Sequence, residues 1–225
     1  DLARRFRGSQ TPVCVRLPRH RTHLRLEQLE DRVVPALTIQ LDYTYDTSGF
    51  FNDSTRRSIL QEAVNEVASR LDASLGAIAP SGSNTWTATF YNPSTGYQQS
   101  VSNLSIAANT IVLYVGGRSL NGSEAGVGGY GGWSASGSSS WVSYIPSRGH
   151  SGFSTWGGSL AFDSSGTSWY FGTSGSVPSN QIDFFSVAQH ELGHMLGIGT
   201  ASQWSSLISN GYFTGANAVS VGRKS

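Results

Sequence analysis

The sequence predicts an α+β domain, and three observations carry that expectation. Residues 37–45 (LTIQLDYTY) alternate apolar and polar side chains as a half-buried strand does, and strand-like runs recur at 85–91, 100–106 and 109–115. Between the first strand and those runs, Ile59, Leu60, Ala63, Val64, Val67, Ala68, Leu71 and Leu75 recur at helical spacing. Further along, residues 181–196 form a second helical pattern that carries His190, Glu191 and His194 in the order His-Glu-x-x-His.

Taken in order, residues 1–36 read as a separate basic linker-like segment expected to lack a fold of its own, and 37–225 as the folded domain. The first 33 residues hold eight Arg against four acids, and the remainder holds seven bases against ten. The basic balance therefore belongs to the tail, and nothing in the body suggests a nucleic-acid surface. His20 and His23 sit among arginines and are expected to be solvated. Cys14 is the single cysteine, so no internal disulfide can form. No apolar run approaches a membrane span, and the N-terminus shows no secretory apolar core.

The first helix is expected from Asp53 or Ser54, as its cap, to about Leu75, with Gly76 and Pro80 ending it. Asp42, Asp46 and Asp53 have a spacing that matches no calcium loop. Residues 116–158 are rich in Gly, Ser and Trp and lack the Lys of a phosphate-cradling loop, so extended loops pinned by buried rings are expected. Two short strands follow, at 159–163 and 168–171. Ser179 or Asn180 would then cap the second helix, with Asp183 in its first turn and Gly197 and Gly199 turning the chain away at its end.

That second helix carries the chemistry. Residues four apart share a helix face, so His190 and His194 project side by side and can grip one metal ion. Glu191 lies about 100° around the axis, where a carboxylate reaches a water on the metal without itself being a ligand. Zinc lowers the pKa of such a water to about 7, and the carboxylate takes its proton.

HELGHMLGIGT, with Gly197 three residues after His194, resembles the metzincin pattern H-E-x-x-H-x-x-G-x-x-H. The span from Gly157 to Phe162 is similar to the matrixin edge strand that pairs with bound peptide. DFFSVAQHELGHMLGIGT with the later FTGAN resembles bacterial matrixin-like and leishmanolysin-like metallopeptidases. The resemblance implies a zincin fold, a twisted mixed sheet with an N-terminal helix and an active-site helix. It further implies a zinc endopeptidase with His190 and His194 as ligands and Glu191 as general base, acting on peptide or protein substrates. The sequence departs from the pattern at Thr200, where the third ligand of a compact metzincin falls. Residues 201–225 hold no His, Asp, Glu or Cys, and the single methionine, Met195, lies inside the motif. The C-terminal part carrying the third ligand and the methionine turn is therefore expected to be missing, with 219–225 as a truncated or frameshifted end. His150, Asp163 and Asp183 are the remaining candidates near the metal, each with an ordinary structural explanation. RLEQLEDRVVPA resembles the N-terminal segment of exported planctomycete proteins, implying an extracellular or cell-surface location. The competing expectation is a non-catalytic extracellular binding domain that keeps a relic of the motif.

Overall fold

The structure, a computed structural model, describes residues 37–71, 74–172 and 175–216. The expected export segment 1–36 with Cys14, His20 and His23, and the end at 219–225, lie outside the described residues.

Strand β1 (Thr38–Asp42) stops where the Asp42 carboxylate accepts the N–H of Thr44, closing a turn that the alternation through residue 45 does not show. Helix α1 (Ser54–Ala68) begins on Asp53, whose carboxylate accepts the N–H groups of Thr55 and Arg56, which holds its pKa below the usual range. The helix ends at Ala68, short of Leu75. Leu75 and Gly76 are instead drawn off by partners distant in sequence: their N–H groups donate to the Asn109 side chain and the Arg148 carbonyl.

Then come β2 (Thr85–Tyr91), β3 (Gln98–Ser102) and β4 (Thr110–Arg118). The expected strand over 100–106 is shifted, because Asn103 at φ 53 breaks it and leaves Ile106 a single bridge to Ile78. The glycine-rich stretch is not simply loop. It forms β5 (Gly126–Tyr130), β6 (Gly132–Ser136) and the short helix α2 (Ser139–Tyr144). After β7 (Gly157–Asp163), β8 (Trp169–Tyr170) and β9 (Ile182–Asp183) comes the motif helix α3 (Phe184–Met195). Past it lie α4 (Ser202–Ser205) and the hairpin β10 (Ile208–Ser209) and β11 (Tyr212–Phe213).

The main sheet has the order β1-β4-β7-β5, with β1, β4 and β7 parallel and β5 antiparallel at the edge. This corrects the resemblance assigned to Gly157–Phe162: β7 is an interior strand, bonded on both sides and buried throughout. Burial at every position suits a strand covered on both faces. The edge beside α3 belongs to β5, and β1 forms the other edge. A second, antiparallel sheet has the order β3-β2-β6.

Alternation along β4 divides the interior in two. Ile111, Leu113 and Val115 point to one face, where they meet Leu60 and Val64 of α1 and Phe184, Leu192 and Met195 of α3. Val112 and Tyr114 point to the other, against Trp86 and Phe90 of the second sheet and Trp156. Both long helices therefore lie on one face of a mixed sheet, the α+β arrangement expected from the sequence. Phe184 seats the start of α3, its ring 4.7 Å from that of Phe162, and each such buried apolar side chain contributes about 1.5–3 kcal/mol. Gln189 ties α3 to α1 by donating to Glu66 at 3.0 Å.

Candidate metal centre and cleft

Helix α3 starts later than its sequence suggests. Ile182 and Asp183 are held extended by pairing with Trp169 and Tyr170, so Ser179 and Asn180 cannot cap the helix. Asp183 is the N-cap, and its carboxylate accepts the N–H of Ser186 at 3.0 Å. Its role is accounted for at the helix start rather than at a metal.

The helix ends in a Schellman arrangement. Gly197 (φ 89) donates to the His194 carbonyl, and Ile198 donates to that of Gly193. A side chain at 197 would collide with Phe153 as well as strain the backbone. Gly197 thus makes the turn that the sequence implied. The turn also brings the Ile198 carbonyl back to His194, 2.9 Å from Nδ1. A carbonyl can only accept, so in the neutral ring Nδ1 carries the proton and Nε2 keeps its lone pair. Such a fixed tautomer is what a metal-binding histidine requires. The His190 ring lies 4.5 Å from the His194 ring, nearly perpendicular to it.

Thr200 does not project as a ligand. Its hydroxyl donates to the His194 carbonyl at 2.8 Å, satisfying one of the acceptors left at the helix end. His150 lines an apolar cavity with Leu75, Ile111 and Leu196. Asp163 is buried at the end of β7 and accepts from the N–H groups of Leu120 and Gly166 and the Thr167 hydroxyl. Burial alone would raise its pKa, but these donors outweigh burial and leave it below the usual range. Asp46 binds the Phe51 and Gly117 N–H groups, so with Asp42 and Asp53 the three acids organise turns and a cap rather than calcium. Among the described residues no group of three or more His, Cys, Asp or Glu side chains can hold a metal ion. His190 and His194 therefore suit two positions of a zinc site, and the described residues supply no third.

Glu191 is buried between α3 and β5. Burial raises its pKa, and the neighbouring imidazoles and the Gly128 N–H partly offset that rise. The strand above it is the feature that the sequence did not reveal. A Cβ at Gly126 would come within 2.9 Å of the Glu191 side chain, and one at Gly128 within 2.5 Å of the Glu191 carbonyl oxygen. Glycine at these two positions lets the strand lie directly on the helix, and their period of two is the only local signal of it. Gly128→Ala is expected to force β5 off α3 at a cost of about 1–3 kcal/mol, read as a lower denaturation midpoint. An unchanged midpoint would show that the contact is slack.

Beside β7, the bonding alternates. Ala125 accepts from the Asp163 N–H and Gly131 donates to Gly157, so odd-numbered residues bond inward. Gly126, Gly128 and Tyr130 consequently turn their N–H and C=O groups away from β7, with the Gly128 N–H taken up by Glu191.

Two imidazoles one helical turn apart, a buried carboxyl beside them and an antiparallel edge strand over that carboxyl are similar to the arrangement of metzincin-like zinc metallopeptidases. Comparison with known families agrees: the family model described as Matrixin matches residues 144–222, a stretch that runs through β7 and α3. No curated protein and no solved structure matches the chain.

Proposed function

We propose that this protein is a zinc-dependent endopeptidase in which Glu191 is the general base. The observation that carries this reading is the buried Glu191 carboxyl, set next to two imidazoles of which one has its Nε2 freed by the Ile198 carbonyl. His190 and His194 would hold the metal, joined by a third ligand from outside the described residues. Zinc there would make water a nucleophile near neutral pH and polarise the scissile carbonyl. Glu191 takes a proton from the attacking water and returns it to the departing amine nitrogen as the C–N bond breaks. The backbone groups of Gly126 and Tyr130 and the Gly128 carbonyl, all turned away from β7, would hold the substrate extended as an added strand. The catalytic domain on this reading runs from residue 37, and the export-like segment before it supports action outside the cell.

Zinc uptake by the full chain, measured against a chromophoric chelator, tests the centre. His194→Ala is expected to weaken zinc binding by more than the roughly 10–100-fold that loss of a supporting partner costs. Wild-type affinity in that variant would remove the reading. The lack of a third donor among the described residues favours a second reading, a binding domain that keeps the motif without catalysis. Zinc uptake with no cleavage of any unfolded protein substrate would select it.

A further inference from the structure

The strand above α3 has a second face. Gly126 and Gly128 are directed at the helix, so Val127 and Gly129 are directed away from it, to the side where β4 carries Arg118. There the sheet and the turn after β2 enclose a hollow of about 380 Å³, lined by Tyr91, Arg118, Val127, Gly129, Ser159 and Ala161. Its one cation is half-buried. Arg118 donates Nη1 to the Pro93 carbonyl at 3.2 Å, and Gly96 packs so closely that a Cβ there would sit 3.3 Å from Nε. Among the described residues no carboxylate lies within ion-pair distance of it, and the exposed Glu124 acts on it only from further off. Burial lowers the Arg118 pKa, so the guanidinium is partly stripped of water without a counter-charge in contact.

We propose that this hollow is a subsite for acidic side chains of the peptide that pairs with β5. The proposal rests on the edge-pairing part of the endopeptidase reading. Side chains directly opposite one another on paired strands share a face, and successive side chains alternate. Peptide residues opposite Gly126 and Gly128 therefore face α3 and Glu191, whereas those opposite Val127 and Gly129 face the hollow. A carboxylate arriving there meets a planar donor fork already held in place by Pro93, and it supplies the missing counter-charge. The preferred substrate is thus an extended segment with Asp or Glu at alternate positions, on the face turned away from the catalytic helix.

The test is binding of labelled decapeptides to the full chain by fluorescence anisotropy, with chelator present so that cleavage plays no part. One peptide alternates Glu with Thr, a second replaces each Glu by Gln, and a third has the composition of the first with its glutamates in one block. The alternating Glu peptide should bind about tenfold more tightly than its Gln counterpart, the size of one charge-assisted contact, and more tightly than the blocked peptide. Arg118→Lys should keep a preference for Glu, Arg118→Gln should reduce the ratio to near one, and Arg118→Glu should favour a peptide with Lys in place of Glu. Equal binding of the Glu and Gln peptides, equal binding of the alternating and blocked ones, survival of the ratio in Arg118→Gln, or no binding by any peptide would each overturn the proposal. A chain that discriminates these peptides and cleaves none keeps the subsite and loses the peptidase. One that cleaves without discriminating does the reverse.

Discussion

Glu191→Gln is expected to lower peptide hydrolysis by about 10²–10⁴-fold, the usual contribution of a positioned general base, while zinc uptake stays at the wild-type level. The amide keeps the shape of the carboxyl under β5 and removes only its capacity to take a proton. The same substitution has a stability signature in metal-free protein. The folded-state pKa of Glu191 is raised, chiefly by burial. Below the unfolded-state pKa the group is protonated in both states and ionisation costs nothing. As pH rises past that value and through the folded pKa, the native state holds the proton more tightly than the unfolded chain, so stability falls. Glu191→Gln should therefore be the more stable of the two metal-free proteins at neutral pH, with the advantage fading in acid. Thermal denaturation at several pH values, with chelator present, measures the difference. A variant that cleaves at the wild-type rate removes Glu191 from the mechanism. A variant with no pH-dependent gain shows the carboxyl to be better solvated than its setting implies.

Arg148→Met should cost about 3–5 kcal/mol, a large share of the roughly 5–15 kcal/mol that holds a domain folded. Arg148 is 1% exposed and has no carboxylate partner among the described residues. Its guanidinium donates instead to three carbonyls, those of Gly76, Ala107 and Thr110, at 2.9, 3.0 and 2.7 Å. Burial lowers its pKa, with Tyr144 acting in the opposite direction. Methionine fills similar space but leaves three acceptors without a donor, each a desolvation cost of about 1–3 kcal/mol. Lysine would recover part of the loss, since one ammonium cannot reproduce the fork. Urea denaturation should show a fall in midpoint at unchanged slope, and a loss below about 1 kcal/mol would mean that water reaches the carbonyls.

What the sequence made legible was local. The His-Glu-x-x-His helix, its glycine exit and the amphipathic stripe of α1 are written within a few residues of themselves. The start of α3 was not, because Asp183 becomes the cap only after Trp169 and Tyr170 hold the preceding pair extended. Nor was the edge of the cleft. Residues 126–130 offer hardly any apolar pattern, since their purpose is to lack side chains against Glu191 and Val187. The resemblance places the matrixin-like edge at Gly157–Phe162, a strand whose pairing with both β4 and β5 makes it interior, which only the folded sheet reveals. Thr200 was legible as a poor ligand, and its actual occupation as acceptor-filling at the helix end needed the folded turn.

The edge strand does not stop at the cleft. One residue past Tyr130, after Gly131, the chain enters β6 and pairs with β2, so a single run of backbone serves both sheets. Gly131 packs against the Trp156 indole with no room for a methyl group, and that indole donates to the Gly132 carbonyl at 2.9 Å. The upper lip of the proposed catalytic groove is thereby clamped at its far end to the aromatic cluster on the other face of the sheet. Widening the groove then means levering that strand about a fixed pivot, and trimming Trp156 should slacken the grip on substrate without touching a single catalytic atom.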